Sequence, residues 1–217
     1  GNVTDFGNLT DQLNQRGSAS NNIRGIWLGG RNPSASNIID YVTIATTGNA
    51  SDFGDALGVI ENGIAGAAST TRAVFAGGQD SGGNSDVIQY VTIDTTGNST
   101  DFGNLTQAKK EGGGVSSGTR AAFAGDDVSQ ANVIDYITIA STGNASDFGD
   151  LTAGRSGVGA VSSKTRGVWG GGTISGTGAV NTMDYVTIAS TGNATDFGDR
   201  TLSVSQLTGL SNGHGGL

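Results

Sequence analysis

The 217 residues include 19 acids against 11 bases, a formal charge of −8, with 39 glycines, one proline (Pro33) and no cysteine. That sign of charge repels phosphate backbones, so nucleic acid is not an expected partner, and the missing cysteine excludes disulfides, zinc–thiolate sites and thiol nucleophiles. No apolar stretch approaches the ~20 residues that span a bilayer, so membrane insertion is not expected either, and glycine at this level without proline reads as tight turns rather than collagen.

In chain order, the first predicted element is a short strand from Thr4 to Gly7, ending in Asp-Phe-Gly. The string around it, Gly48-Asn49-Ala50-Ser51-Asp52-Phe53-Gly54, returns at Gly1, Gly97, Gly143 and Gly192, a period of about 48 residues. The chain therefore divides into units 1–47, 48–96, 97–142 and 143–191 and a partial unit 192–217, read together as a single repeat domain, 1–217. Asn132 to Ala140 is rich in β-branched residues and apolar on both faces, the pattern of a central strand. Ser156 to Ser162 reads as a weaker, glycine-rich strand, and Arg166 to Gly170 as a strand stopped by glycines. Thr195 to Gly198 is a further short strand, reached through the turn at Ser190–Asn193, and a last one is expected at about Ser205 to Ser211. No window has a helical period with caps.

The aromatic residues sharpen the repeat. Tyr41, Tyr90, Tyr136 and Tyr185 occupy one position of the unit; Phe6, Phe53, Phe102, Phe148 and Phe197 occupy a second; Trp27, Phe75, Phe123 and Trp169 share a third. No aromatic residue lies elsewhere, so one packing environment is used repeatedly, and these positions are the expected structural core of the repeat. Four short strands in a unit of about 40–50 residues are what a propeller blade needs.

Loop lengths separate fixed connections from variable ones. Tyr to Phe is constant (41 to 53, 90 to 102, 136 to 148, 185 to 197), whereas the stretch before each Tyr changes in length and wording. The segment after the Phe strand is equally changeable. In an antiparallel blade both variable connections lie at one end of the strands, which makes them the expected ligand-binding face. The candidate residues are Arg31, Asn32, Ser34, Gln79, Asp80, Asp127, Gln130, Thr173 and Ser175, with Lys109 and Lys110 from the segment after the Phe strand.

Residues with chemistry are mostly absorbed by the repeat. Asp-Phe-Gly in five copies, without a catalytic or nucleotide loop, is no kinase signature. Paired acids such as Asp52 and Asp55 are oxygen ligands by type, but turn hydrogen bonds explain them and no metal is expected. Arg24, Arg72, Arg120 and Arg166 are expected to pair with Asp40, Asp135 or Asp184, or to bond a neighbouring carbonyl, with an anion-holding ring around a central channel as the sharper alternative. His214 is the only histidine, no unique catalytic constellation breaks the repeat, and the chain is expected not to be an enzyme and to use no cofactor.

The strand order resembles the kelch repeat of β-propellers: Gly77-Gly78 stands where kelch has its glycine doublet, Tyr90 where it has tyrosine, and Phe102 in place of its tryptophan. Gly29-Gly30 and Gly171-Gly172 keep the doublet and Gly125-Asp126 departs from it. The wording of strings such as Gly192 to Asp199 and Asp184 to Gly192, and of the ending Ser211 to Leu217, resembles the tandem repeats of virion structural and tail-fibre proteins of marine tailed phages, particularly cyanophages. The expected fold is an all-β, kelch-like propeller of four to five short four-stranded blades, with an open β-repeat array that oligomerises as the alternative. Leftover strands from opposite edges of a blade leave three closures open: a four-bladed ring with extra ends, a five-bladed ring completed by another chain, or a trimerising array. The phage resemblance implies a tail or fibre component on the virion surface that touches the host; the variable loops would bind a host glycan or protein, or else the chain joins other virion subunits or copies of itself. No signal peptide is recognised, and because the chain begins at Gly1 rather than Met a fragment of something longer is expected.

Overall fold

The computed structural model describes residues 2–126 and 131–211, which are all-β: no helix occurs among them. Four antiparallel sheets of four strands follow one another along the chain. Sheet one is β1 (Gly17–Ser20), β2 (Arg24–Leu28), β3 (Ser36–Thr43) and β4 (Ser51–Ile60). Sheet two is β5 (Ala65–Ala68), β6 (Arg72–Ala76), β9 (Val87–Thr92) and β10 (Thr100–Asn104), with a small hairpin, β7 (Gln79–Asp80) and β8 (Gly83–Asn84), between its second and third strands. Sheet three is β11 (Gly113–Ser116), β12 (Arg120–Ala124), β13 (Val133–Thr138) and β14 (Ser146–Asp150). Sheet four is β15 (Gly159–Ser162), β16 (Arg166–Gly170), β19 (Thr182–Thr187) and β20 (Thr195–Asp199), and it too carries a hairpin, β17 (Thr173–Ile174) and β18 (Gly178–Ala179). Each sheet takes its Phe strand from the sequence unit that follows, so sheets and sequence units are offset.

The glycine-rich first strands have a steric cause. β1, β5, β11 and β15 pack against one another in succession. A Cβ on Gly66 would lie 2.0 Å from the Ser18 carbonyl oxygen, and one on Gly114 would lie 2.4 Å from that of Gly66. Only small residues allow the sheets to meet this closely at their inner edges. Away from that edge, side chains grow and fill three apolar clusters, one between each consecutive pair of sheets. The first joins Ile26 and Phe53 to Phe75 and Ile93; the second joins Val74 and Phe102 to Phe123 and Ile139; the third joins Ala122 and Phe148 to Trp169 and Ile188. In sheets two and three the second and third strands are therefore covered on both faces, which is why they read as continuous apolar runs.

Asp-Phe-Gly proves to be a β-bulge. In sheet one Asp52 pairs with Asp40 and Gly54 with Ile39, leaving Phe53 as the extra residue, and the same register shift recurs in the other three sheets. The aspartate carboxylate accepts the amide of the glycine two residues on, as in Asp52 to Gly54 at 3.0 Å. Gly54 needs both its positive φ of 144° and its missing side chain, because a Cβ would sit 2.5 Å from the Gly97 backbone.

Two predicted strands are corrected. Thr4 to Gly7 and Ser205 to Ser211 have no strand geometry, although both occupy strand-like positions. The Phe6 carbonyl accepts the Gly48 amide at 2.8 Å, as the Phe53 carbonyl accepts that of Gly97 at 2.7 Å, and Gly209 abuts the Ala160 carbonyl as Gly66 abuts that of Ser18. Neither segment has ladder neighbours within a sheet, so neither closes the hydrogen-bond pattern of a strand. The hairpins β7–β8 and β17–β18 were not legible in the sequence, where only turn residues mark them.

Candidate binding face

The variable connections are stitched together at one end of the sheets. After β2, Arg31 exchanges backbone hydrogen bonds with Asn14, both at 3.2 Å. After β6, the Gln79 amide donates to the Asn62 carbonyl at 2.9 Å, and after β16 the Thr173 amide donates to the Ser156 carbonyl at 2.8 Å. Each bond ties a loop between second and third strands to the segment that enters a first strand, so both classes of variable loop do share one face.

The same segments line a cavity of about 410 Å³, where Gln15, Gly63, Glu111, Gly157 and Gln206 stand at equivalent positions of five successive repeats. All five have left-handed backbone, with φ of 57°, 72°, 58°, 62° and 55°. Glutamine and glutamate pay strain in that region, and residues held so are concentrated at functional sites. Sequence reading missed this position; aligning the repeats on Asp-Phe-Gly shows Gln, Gly, Glu, Gly and Gln just before the first strand, which is the signal that finds it.

Most predicted binding residues lie on this face. Arg31, Asn32 and Ser34 are exposed; Arg31 reaches Glu61 at 3.8 Å, and Asn32 Nδ2 donates to the Gln12 carbonyl at 2.7 Å. Gln79 is a junction, its Oε1 accepting from Lys110 Nζ at 2.7 Å and from Asn62 Nδ2 at 3.2 Å. Asp80 caps its own hairpin by accepting the Gly82 amide at 2.7 Å. Thr173 begins β17 and Ser175 is exposed at its hairpin. Asp127 and Gln130 fall outside the described residues, as does His214.

Lys109 is a correction. Its side chain is 5% exposed and pairs with Asp135 at 2.7 Å, so its ammonium is buried inside sheet three rather than offered to a ligand. The reason is a repeated charge pocket. Asp135 also accepts from Thr106 Oγ1 at 2.5 Å; Asp184 pairs with Arg155 at 2.9 Å and accepts from Thr152 Oγ1 at 2.6 Å; Asp40 pairs with Arg16 and accepts from Thr10 Oγ1. Sheet two has Gln89 in place of the aspartate; Leu57, whose amide donates to Gln89 Oε1 at 3.0 Å, stands where the other pockets have threonine, and the donors to Gln89 Oε1 are neutral. Acid and cation are thus present or absent together, as expected where an unpaired buried charge is costly.

The arginines leading the second strands are not the partners of these acids. Arg24, Arg72, Arg120 and Arg166 lie over Tyr41, Tyr90, Tyr136 and Tyr185 at 4.6, 4.5, 4.5 and 4.4 Å from the ring centres. The first three also donate to a carbonyl of the next sheet, and none of the four lines that cavity. Each tyrosine meets the Phe of its own sheet edge-on, from Tyr41 with Phe53 to Tyr185 with Phe197. Several residues expected in the core are only partly inside it: Phe197 is 47% and Phe6 38% exposed, Trp27 is half-buried where Trp169 is fully buried, and the four tyrosines are half-buried beneath their arginines. Among the described residues no group of three or more His, Asp or Glu side chains has metal-holding geometry.

Compared with known proteins, the chain matches no family model and no curated sequence.

Proposed function

We propose that this protein is a non-enzymatic recognition module, a kelch-like β-propeller of four complete blades and a partial fifth, which binds a host-surface glycan or protein through its variable face. The ring reading is supported by five equivalent segments around one cavity, Gln15, Gly63, Glu111, Gly157 and Gln206. The observation that carries the recognition reading is the division of labour between the two ends: connections that never change length at one, and hairpins and loops that differ in every repeat at the other. Among the described residues the variable face presents amides, hydroxyls and charges of both signs and no aromatic platform, which suits hydrogen-bonded recognition of a polar ligand. The resemblance of the repeat wording to phage virion proteins is what supports reading such a module as part of a virion tail or fibre.

Purified protein is tested on an array of bacterial surface glycans and on intact cyanobacterial envelopes. Binding is expected, and a variant with Arg31→Ala, Asn32→Ala and Ser34→Ala should lose at least tenfold in affinity while its circular dichroism is unchanged. No binding to either target, or binding indifferent to these changes, rejects the reading. The second reading, an assembly element joining subunits of a fibre or filament, is favoured by a different observation: sheets one and four each leave one apolar face open.

A further inference from the structure

Three interfaces between consecutive sheets share one construction. The preceding sheet offers its Tyr–Phe pair and arginine, and the next sheet covers them with its aromatic and its isoleucine. The arginine then donates to the carbonyl of that isoleucine: Arg24 Nη1 to Ile93 at 2.7 Å, Arg72 Nη1 to Ile139 at 2.9 Å, Arg120 Nη1 to Ile188 at 3.0 Å.

Sheet four carries the same face uncovered. Arg166 lies over Tyr185 but has no carbonyl acceptor among the described residues, and it is exposed where Arg24, Arg72 and Arg120 are half-buried. Phe197 is 47% exposed, against 2% for Phe53 and Phe148 and 3% for Phe102. Gly54, Gly103 and Gly149 each abut the glycine backbone of the next repeat, whereas the space beside Gly198 is empty. A hollow of about 650 Å³ opens there, walled by Val161, Arg166, Val168 and Phe197. Sheet one shows the complementary lack on its other side: Trp27 is half-buried, Ile44 is 45% exposed, and Phe6 is 38% exposed with no tyrosine against it among the described residues.

The two segments without strand geometry mark what is missing. Residues 206–211 stand where a first strand would, against β15, and residues 4–8 stand where a fourth strand would, against sheet one. A four-stranded sheet holding only its first and fourth positions lacks two strands. We propose that the gap between sheets four and one is a docking slot for a partner β-hairpin of this repeat's own pattern: one strand of the Arg-Gly-x-aromatic type and one of the Asp-Tyr-Val-Thr-Ile type. The slot rests on the ring arrangement proposed above. Continuity with the three filled interfaces identifies the occupant. Its isoleucine carbonyl takes the Arg166 donor, its aspartate meets the Thr201 hydroxyl as Asp135 meets that of Thr106, and its tyrosine packs on Phe6. Strand addition supplies the backbone hydrogen bonds, and the apolar faces supply the specificity.

A fluorescent peptide copying residues 165–188 is the probe, with a scrambled peptide as control and the full chain as receptor. Saturable binding is expected, with a raised melting temperature. Arg166→Ala and Phe197→Ser alter exposed side chains, so the protein stays folded, and each should weaken peptide binding at least tenfold. Absent binding, binding equal to that of the scrambled peptide, or indifference to both substitutions overturns the slot. Self-association of the chain that the peptide does not displace also overturns it, because a second copy would then cover these faces. The ring is tested separately in the cysteine-free chain. Spin labels on Ser20→Cys and Ser211→Cys, which line one cavity, should show dipolar broadening. Broadening without peptide binding rejects the slot alone; no broadening rejects the ring and the slot with it.

Discussion

At the residue scale, the repeat is governed by a few positions whose chemistry is fixed by neighbours in the same or the next sheet. Asp184 is fully buried with a fully buried Arg155 as its partner. Asp184→Asn leaves that guanidinium uncompensated and should cost about 3–5 kcal/mol in chemical unfolding, whereas Gln89→Ala, which strands only neutral donors, should cost about 1–3 kcal/mol. Equal losses would mean that the charge in sheet four contributes nothing beyond its hydrogen bonds. The glycines of Asp-Phe-Gly allow a second comparison. Gly54→Ala and Gly198→Ala both force a side chain into positive φ, 144° and 123°, but only Gly54 also drives its Cβ into the Gly97 backbone. Gly198→Ala should cost about 1–2 kcal/mol of strain and Gly54→Ala clearly more, read from paired melting curves. The periodicity of these residues was legible in the sequence. Their partners were not: that Lys109 neutralises Asp135 while Arg120 stacks on Tyr136 depends on which strands lie side by side, and spacing along the chain carries no sign of it.

At the element scale, second and third strands of the middle sheets were legible because burial on both faces leaves an unbroken apolar signature, as in Ala73 to Ala76 and Ala121 to Ala124. First strands were harder. Ala65–Ala68 and Gly113–Ser116 carry almost no hydrophobic pattern, since what selects their residues is the close approach of neighbouring backbones. The small hairpins have the least packing of all: β17–β18 is a two-residue pair with Gly178 and Ala179 exposed. Replacing Ser175–Ala179 with a shorter glycine linker should therefore shift the melting temperature by no more than about 2 °C, the effect of well under 1 kcal/mol in a domain of this size. A larger drop would show that the hairpin supports the fold rather than being presented by it.

At the scale of the whole molecule, the stability of stacked repeats is the sum of each unit and its interfaces. Sheets two and three are packed on both sides, while sheets one and four each have one uncovered face. Amide exchange should be slowest in β6, β9, β12 and β13 and faster in the matching strands of the outer sheets. Binding of a hairpin in the slot should raise protection in sheets one and four and leave the middle sheets unchanged. Uniform protection across all four sheets would contradict the uncovered-face account.

The sequence by itself determined the all-β class, the repeat, most of its main strands and the end of the sheets at which variation gathers, because these depend on local pattern and on counting. The tertiary structure decided what pattern cannot encode. It placed Lys109 in a charge pocket rather than on a loop, made Asp-Phe-Gly a bulge, set Gln15, Glu111 and Gln206 in left-handed backbone around a cavity, and left Phe197 exposed although the residue at that position in the three preceding sheets is buried. The physical reason is the same throughout: identical side chains acquire different burial according to whether another sheet covers them, and coverage is a property of neighbours in space.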